Sequence, residues 1–476
     1  MKLSSLIAAA SLACLAGVLC TSAAACSSDT IHVIAAADGD VPEAGTDGPT
    51  AECAPDAITQ CSCADGSAGQ KTCNADGKNG ACQCVLTTLD KHTDISKGKP
   101  GIEVETHLAA APDGAMCAAW ISLGGGGTSD IGYVFSRDGG ANWTTPLAVG
   151  DATGRDSSDP VVAVDGAGNF YVTWIAFRRS GGGQASDFVL YVAKAPAGQD
   201  KFNKPVSVDT FATGDKPWIT VTAAGTILVT YMASGAGGGS VLYAQRSVNE
   251  GAAWTRSTIF TSTGGQANFV VPCAPKAGTR IWAVHLTAEG SGGFGQRLHW
   301  SDDDGVTWPT ANAKPFAMNS SIGPATCAAK GSDVWVGYGQ WTKQPANQEA
   351  PVDEYRVMHT TNGTTLDDVV ASDDATLQQN LGAIAIEDAT GELALTYYAG
   401  DKDGASGSVR SVRSKDAGKT WAKSKAVSAN LMFTANRMSQ RWLGDYMGTV
   451  LRGGALFTVY GENSGQFTHV AFSKTQ

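Results

Sequence analysis

From about residue 86 onward the chain alternates short apolar runs with clusters of Gly, Asn, Asp and Ser. Runs of this length, rich in Val, Thr, Tyr and Trp and bounded by turn formers, predict strands rather than helices. One run recurs with an aromatic ring or a histidine near its end: CAAW at Trp120, YVTW at Trp174, LVTY at Tyr231, WAVH at His285, WVGY at Tyr338, LALTY at Tyr397 and FTVY at Tyr460. The copies lie fifty to sixty-odd residues apart, and there are seven. A period of that size marks a repeat architecture in which each unit buries its faces only against its neighbours. His285 stands where the other copies carry a ring, so it reads as a core side chain.

Each recurring strand follows another apolar run, as in Pro160-Val161-Val162-Ala163-Val164 and Trp218-Ile219-Thr220-Val221, and precedes a further strand and a tight turn. The pattern predicts an all-β chain, a seven-bladed β-propeller of four-stranded antiparallel blades over residues 86–476. The seventh copy stops near Ser473, one strand short. The segment from Val85 to Leu89 is the expected supplier of that strand, closing the ring.

The turns carry the most specific signal. SRDGGANW places Ser136, Asp138, Gly140 and Trp143 at fixed spacing; SDDDGVTW repeats it with Ser301, Asp303, Gly305 and Trp308, and SKDAGKTW with Ser414, Asp416, Gly418 and Trp421. SVNEGAAW is a fourth copy, with Ser247, Asn249, Gly251 and Trp254. Degenerate turns occupy the same place at Lys194 to Gly198 and at Thr360 to Gly363. In such a turn the hydroxyl and the acid bond backbone N–H groups, the glycine takes positive φ, and the tryptophan buries its ring. The acids are therefore structural. The octets match the Asp-box, or BNR repeat, and the chain resembles the sialidase-like β-propeller families.

That resemblance implies, for a sialidase, three arginines on the substrate carboxylate, a tyrosine nucleophile paired with a glutamate, and an aspartate acid/base. The family's first arginine sits in an Arg-Ile-Pro motif ahead of the first Asp-box. Here the corresponding stretch reads Lys99-Pro100-Gly101-Ile102-Glu103-Val104-Glu105, and no arginine precedes Arg137. Sialidases have six blades, against seven counted here.

The staple turns occupy one face, so a ligand is expected on the other, where segments entering the inner strands are polar. They contribute Arg155, Asp156, Asp159, Asp215, Lys216, Arg441, Asp445 and Tyr446, and a loop adds Arg178 and Arg179. The ligand-binding expectation rests on Arg155, Asp156, Asp159, Arg179, Asp215, Lys216, Arg441, Asp445 and Tyr446. Arg178 and Arg437 are further clamp candidates, and a hydrolase would use Asp159, Tyr446 and Arg441. No cofactor is required, although converging carboxylates suit a hydrated calcium ion. The favoured reading is a propeller that binds an extracellular glycan or protein without proven catalysis; the second is an exo-α-sialidase or another glycoside hydrolase.

Composition narrows the setting. The net charge of −11 argues against nucleic acid as partner, and the expectation is a monomer. Residues 1–25 read as a signal peptide, with Lys2 before an apolar run and Ala23-Ala24-Ala25 before Cys26. Cys26 is the candidate lipidation site of a bacterial outer-membrane or cell-surface lipoprotein, the only membrane attachment expected; simple secretion is the alternative. Residues 26–50 form a polar tether. Residues 51–85 hold Cys53, Cys61, Cys63, Cys73, Cys82 and Cys84, read as a small disulfide module whose pairing stays open. Cys273 and Cys327 fall at like places on the inner strands of copies four and five, equally consistent with a bond or two buried thiols. Cys117 has no evident partner.

Overall fold

The computed structural model describes residues 52–53, 58–62, 68–74, 76–80, 83–84, 89–97, 101–124, 128–150, 154–180, 184–235, 238–262, 266–288, 294–321, 323–343, 352–374, 376–400, 407–428, 442–463 and 467–476. The predicted signal peptide, the tether and Cys26 lie outside these residues, as do Cys63, Cys82, Lys99, Pro100, Arg437 and Arg441. Among the described residues no helix is long and apolar enough to cross a membrane.

Two units are present. In the first, strands Ile58–Ser62, Ala68–Thr72 and Gln83–Cys84 form a three-stranded sheet, and a disulfide joins Cys53 to Cys73. The second is a seven-bladed β-propeller. Six of its antiparallel four-stranded sheets are sequential, at residues 101–149, 156–211, 214–261, 267–318, 326–370 and 378–426. We number these blades 1 to 6. Blade 7 takes Gly448–Arg452, Ala455–Glu462 and His469–Thr475 from the end of the chain and Leu89–Asp94 from its beginning. Phe472 pairs with Thr93 and Ser473 with His92. The ring thus closes with an N-terminal strand as the unfinished seventh repeat requires; the strand observed is Leu89–Asp94, and of the expected Val85 to Leu89 all but Leu89 lie outside the described residues.

The recurring aromatic positions are the second strands, and all seven residues, His285 included, are at most 1% exposed. They fill the space between successive sheets, where neither face meets water. The staple turns follow the third strands and have the expected bonds. Ser136 Oγ accepts the Gly140 N–H at 2.9 Å and Asp138 accepts the Asn142 N–H at 2.8 Å. The pattern repeats at Ser301 and Asp303, at Ser414 and Asp416, and at Ser247 and Asn249. These bonds to the charged form hold Asp138 and Asp416 down to about 2. Thr360 and Asn362 reproduce the staple with a threonine and an amide.

The turns also clasp blades together. Trp335 of blade 5 donates its indole N–H to the Ala417 carbonyl at 2.8 Å, and Arg246 of blade 3 reaches the Asp304 carbonyl at 2.8 Å. Gly140, with φ 81°, packs against Phe472 of blade 7; a Cβ there would lie 2.3 Å from the ring. Cys273 and Cys327 are bonded, joining the inner strands of blades 4 and 5, while Cys117 is buried and free.

Gly140→Ala is expected to destabilise the propeller by about 2–4 kcal/mol, because ring overlap adds to left-handed strain. Gly139→Ala, with φ 67° and nothing near its Cβ, should cost only about 1 kcal/mol. Equal denaturation midpoints for the two variants would contradict the clasp.

Candidate functional site

The inner strands begin on the face opposite the staples, and five of them slip register there. Ladders to the second strands jump between Val104 and His107, Ser158 and Val161, Asp215 and Trp218, Asn268 and Val271, and Asn380 and Ala383. Each slip contains a non-glycine residue in the left-handed region: Glu105 (φ 54°), Asp159 (59°), Lys216 (50°), Phe269 (51°) and Leu381 (51°). A bulge of this kind re-aims a side chain at a cost in backbone strain. In blades 1, 2 and 3 the re-aimed residue is charged.

Those three charges meet. Lys216 Nζ lies 2.9 Å from Glu105 and 2.8 Å from Asp445 and also contacts Asp159, and all four side chains are at most 2% exposed. Blade 7 delivers Asp445 through Gly444, which packs so closely on Glu105 that a Cβ would sit 2.5 Å from its backbone nitrogen. Tyr446 donates its hydroxyl to the Pro160 carbonyl at 3.0 Å. The ammonium also lies 5.7 Å from the Phe269 ring and 5.9 Å from the Tyr446 ring. Beside it, Asp215 accepts from Asn268 at 2.9 Å.

One ammonium among four carboxylates cannot neutralise all of them in a desolvated space. Burial accordingly pushes Asp215 up to about 7 and Glu105 well above the carboxylate range, despite Lys216 pulling both down. Lys216 is held well above its ordinary value because attraction to Asp159, Asp445 and Glu105 overcomes its own burial. Burial and the neighbouring carboxylates likewise push the Tyr446 phenol up.

The sequence candidates therefore divide. Asp159, Asp215, Lys216, Asp445 and Tyr446 come together, but inside the inner ends of the blades rather than on entering loops open to water. Arg179 and Asp156 form a separate buried pair at 2.7 Å, with Asp156 also accepting the Ser129 N–H. Arg179 lies 5.1 Å from the Phe177 ring, and both its terminal nitrogens are buried without a hydrogen-bond partner among the described residues. Arg155 and Arg178 approach Asp187, through its carbonyl at 3.3 Å and its carboxylate at 3.6 Å respectively. No group of three or more ligating side chains suits a metal ion among the described residues.

Glu105 is the member that sequence reasoning did not select; its left-handed bulge is visible only in the ladder. His107, two residues on, was also passed over. Its Nδ1 accepts the Val162 N–H at 3.4 Å, its ring meets Trp218 edge-on at 5.3 Å, and burial lowers it to about 4.

Fold and site together define a seven-bladed β-propeller whose polar hub is sealed around one lysine. Among solved structures, the chain is similar to the Hadza microbial sialidase Hz136 (12% identity, TM-score 0.45, covering 79% of this chain and 66% of that one). It is also similar to a Trypanosoma rangeli sialidase in complex with the inhibitor DANA (11%, 0.45, 79% and 55%) and to a protein of unknown function from Dyadobacter fermentans (14%, 0.49, 81% and 98%). The match thus spans about two thirds or less of either sialidase. No family model matches the sequence, and no curated protein does. Such distant likeness says nothing of activity.

Two outcomes test the hub. Lys216→Met, which strands buried carboxylates, should cost about 3–5 kcal/mol. The folded chain holds the Asp215 proton more tightly than the unfolded chain, so this group's stabilisation is full below its ordinary 3.8 and is lost as pH rises to about 7. Asp215→Asn should therefore gain stability relative to the parent at about pH 8 and gain least at about pH 4, read by thermal melts. A larger gain in acid would contradict the assignment.

Proposed function

We propose that this is an exported, sialidase-like binding propeller that engages an acidic group of an extracellular glycan or protein on the face opposite the staples, without hydrolysing it. The observation that carries the reading is Arg179. A guanidinium held by Asp156, with two terminal nitrogens buried and unpartnered among the described residues, carries a desolvation penalty that an incoming carboxylate would relieve. Arg155 and Arg178 rise from the same blade and add positive potential around it. Acidic ligands fit this corner better than neutral ones.

The hydrolase reading finds less support. Glu105 stands in the stretch where the family resemblance calls for an arginine, and its carboxyl group contacts Lys216. Asp159 and Tyr446 are engaged within the hub, with their side chains out of reach of a sugar. A pair of carboxylates separated for acid/base work on a glycosidic bond is not what the hub offers. Surface display, through Cys26 or by secretion, remains part of the same proposal, and no metal is needed for it.

The mature protein should bind immobilised polyuronate but not neutral dextran at low salt. Arg179→Lys, which keeps the charge but loses the planar fork, should weaken binding at least about tenfold, since a bidentate contact to a charged group is worth on the order of 1.5–3 kcal/mol. Turnover of sialosides or other aryl glycosides, abolished by Tyr446→Phe, would overturn the proposal.

A further inference from the structure

A second open space lies at the other end of the axis. A well of about 560 Å³ opens on the staple face, lined by the lower halves of the inner strands from all seven blades. Small side chains leave it unfilled: Ala110 and Ala111 of blade 1, Ala163 of blade 2 and Ala329 of blade 5 line its wall. At the mouth the cations are already engaged. Lys276 pairs with Asp388 across the rim, and Arg452 donates to the carbonyls of Ala111 and Pro112.

At the hub end the well meets Trp218 and His107. Trp218 packs edge-on against Tyr446 at 5.2 Å, so the indole separates the well from the charged cluster. With Nδ1 of His107 accepting from Val162, its proton sits on Nε2, and its low pKa keeps the ring neutral. Among the described residues, neither this N–H nor the Trp218 indole N–H has a protein acceptor. The well therefore combines a wall of small aliphatic side chains, interrupted by Thr220, Thr326 and Thr449, with two donors at its closed end, next to a cluster in which carboxylates outnumber the ammonium.

The geometry points to a binding site for a neutral small molecule with an aromatic or alicyclic body and a terminal carbonyl or hydroxyl oxygen, seated with that oxygen against His107 and Trp218. The aliphatic side chains of the wall, such as Ala163, Ile219 and Ala329, favour the body, and the paired donors favour an acceptor at its tip. The carboxylate excess beneath disfavours an anion. The well is independent of the Arg179 corner, which lies on the opposite face.

Equilibrium dialysis with 2-acetylnaphthalene and 2-ethylnaphthalene tests the assignment, because the two differ in shape by little more than the ketone oxygen. The ketone should bind at least about fivefold tighter than the hydrocarbon, the range expected for a single added hydrogen bond. His107→Phe should narrow that ratio, and Ala110→Phe or Thr220→Phe, each filling the well from a partly exposed wall position, should remove binding of both probes. Two filling variants are used so that a misfolded one, recognised by its melt, does not decide the result. Equal affinity for the two probes, no binding of either at saturation, or full binding by both folded filling variants would overturn the proposal.

Discussion

Everything at the centre of this propeller answers to a single buried ammonium. Lys216 gathers carboxylates from blades 1, 2 and 7, so the blades on either side of the ring closure and the blade beyond them share one counter-charge. Removing water from such a group is expensive, and its attraction to the acids compensates only while all partners keep their positions. The left-handed bulges at Glu105, Asp159 and Lys216 place those partners, and Gly444 lets blade 7 come close enough to add Asp445. The polar residues on the inner strands are thus part of the closure of the ring, alongside the Leu89–Asp94 strand and the staple clasps.

This arrangement separates the two faces in what they can do. On the hub side the charges of the cluster face inward, while in blade 2 the terminal nitrogens of Arg179 have no hydrogen-bond partner among the described residues. On the staple side the inner strands carry alanine, valine and threonine, and the axis stays open. A propeller has one axis and two mouths; here one mouth is closed by ion pairing and the other is left wide by small residues.

The architecture was legible because it rests on local rules. A Ser, an Asp and a Gly at fixed spacing have one turn to make, and the aromatic that ends each second strand has one place to go, so seven copies could be counted from sequence. The closing strand was expected at Val85 to Leu89, of which only Leu89 is described; that pairing runs on through the polar stretch to Asp94 is set by the partner strand His469–Thr475 and leaves no apolar mark in the sequence. The site was legible in composition but not in exposure. Asp159, Asp215 and Lys216 look like loop residues before an apolar run, since a bulge leaves no mark in a single sequence. Their burial follows from Glu105 and Asp445 arriving from other blades, which is a tertiary fact. Cys273 and Cys327 were matched in position by the repeat, yet whether they bonded depended on the distance between adjacent inner strands.

The central claim is that Lys216 is enclosed and ion-paired in the native protein. Acetylation of the folded chain with an amine-reactive ester, followed by peptide mass spectrometry, reads this directly, with the exposed Lys276 as internal reference. The account predicts that Lys216 stays unmodified until the protein unfolds. Modification of Lys216 at a rate close to that of Lys276 in the native protein would contradict it.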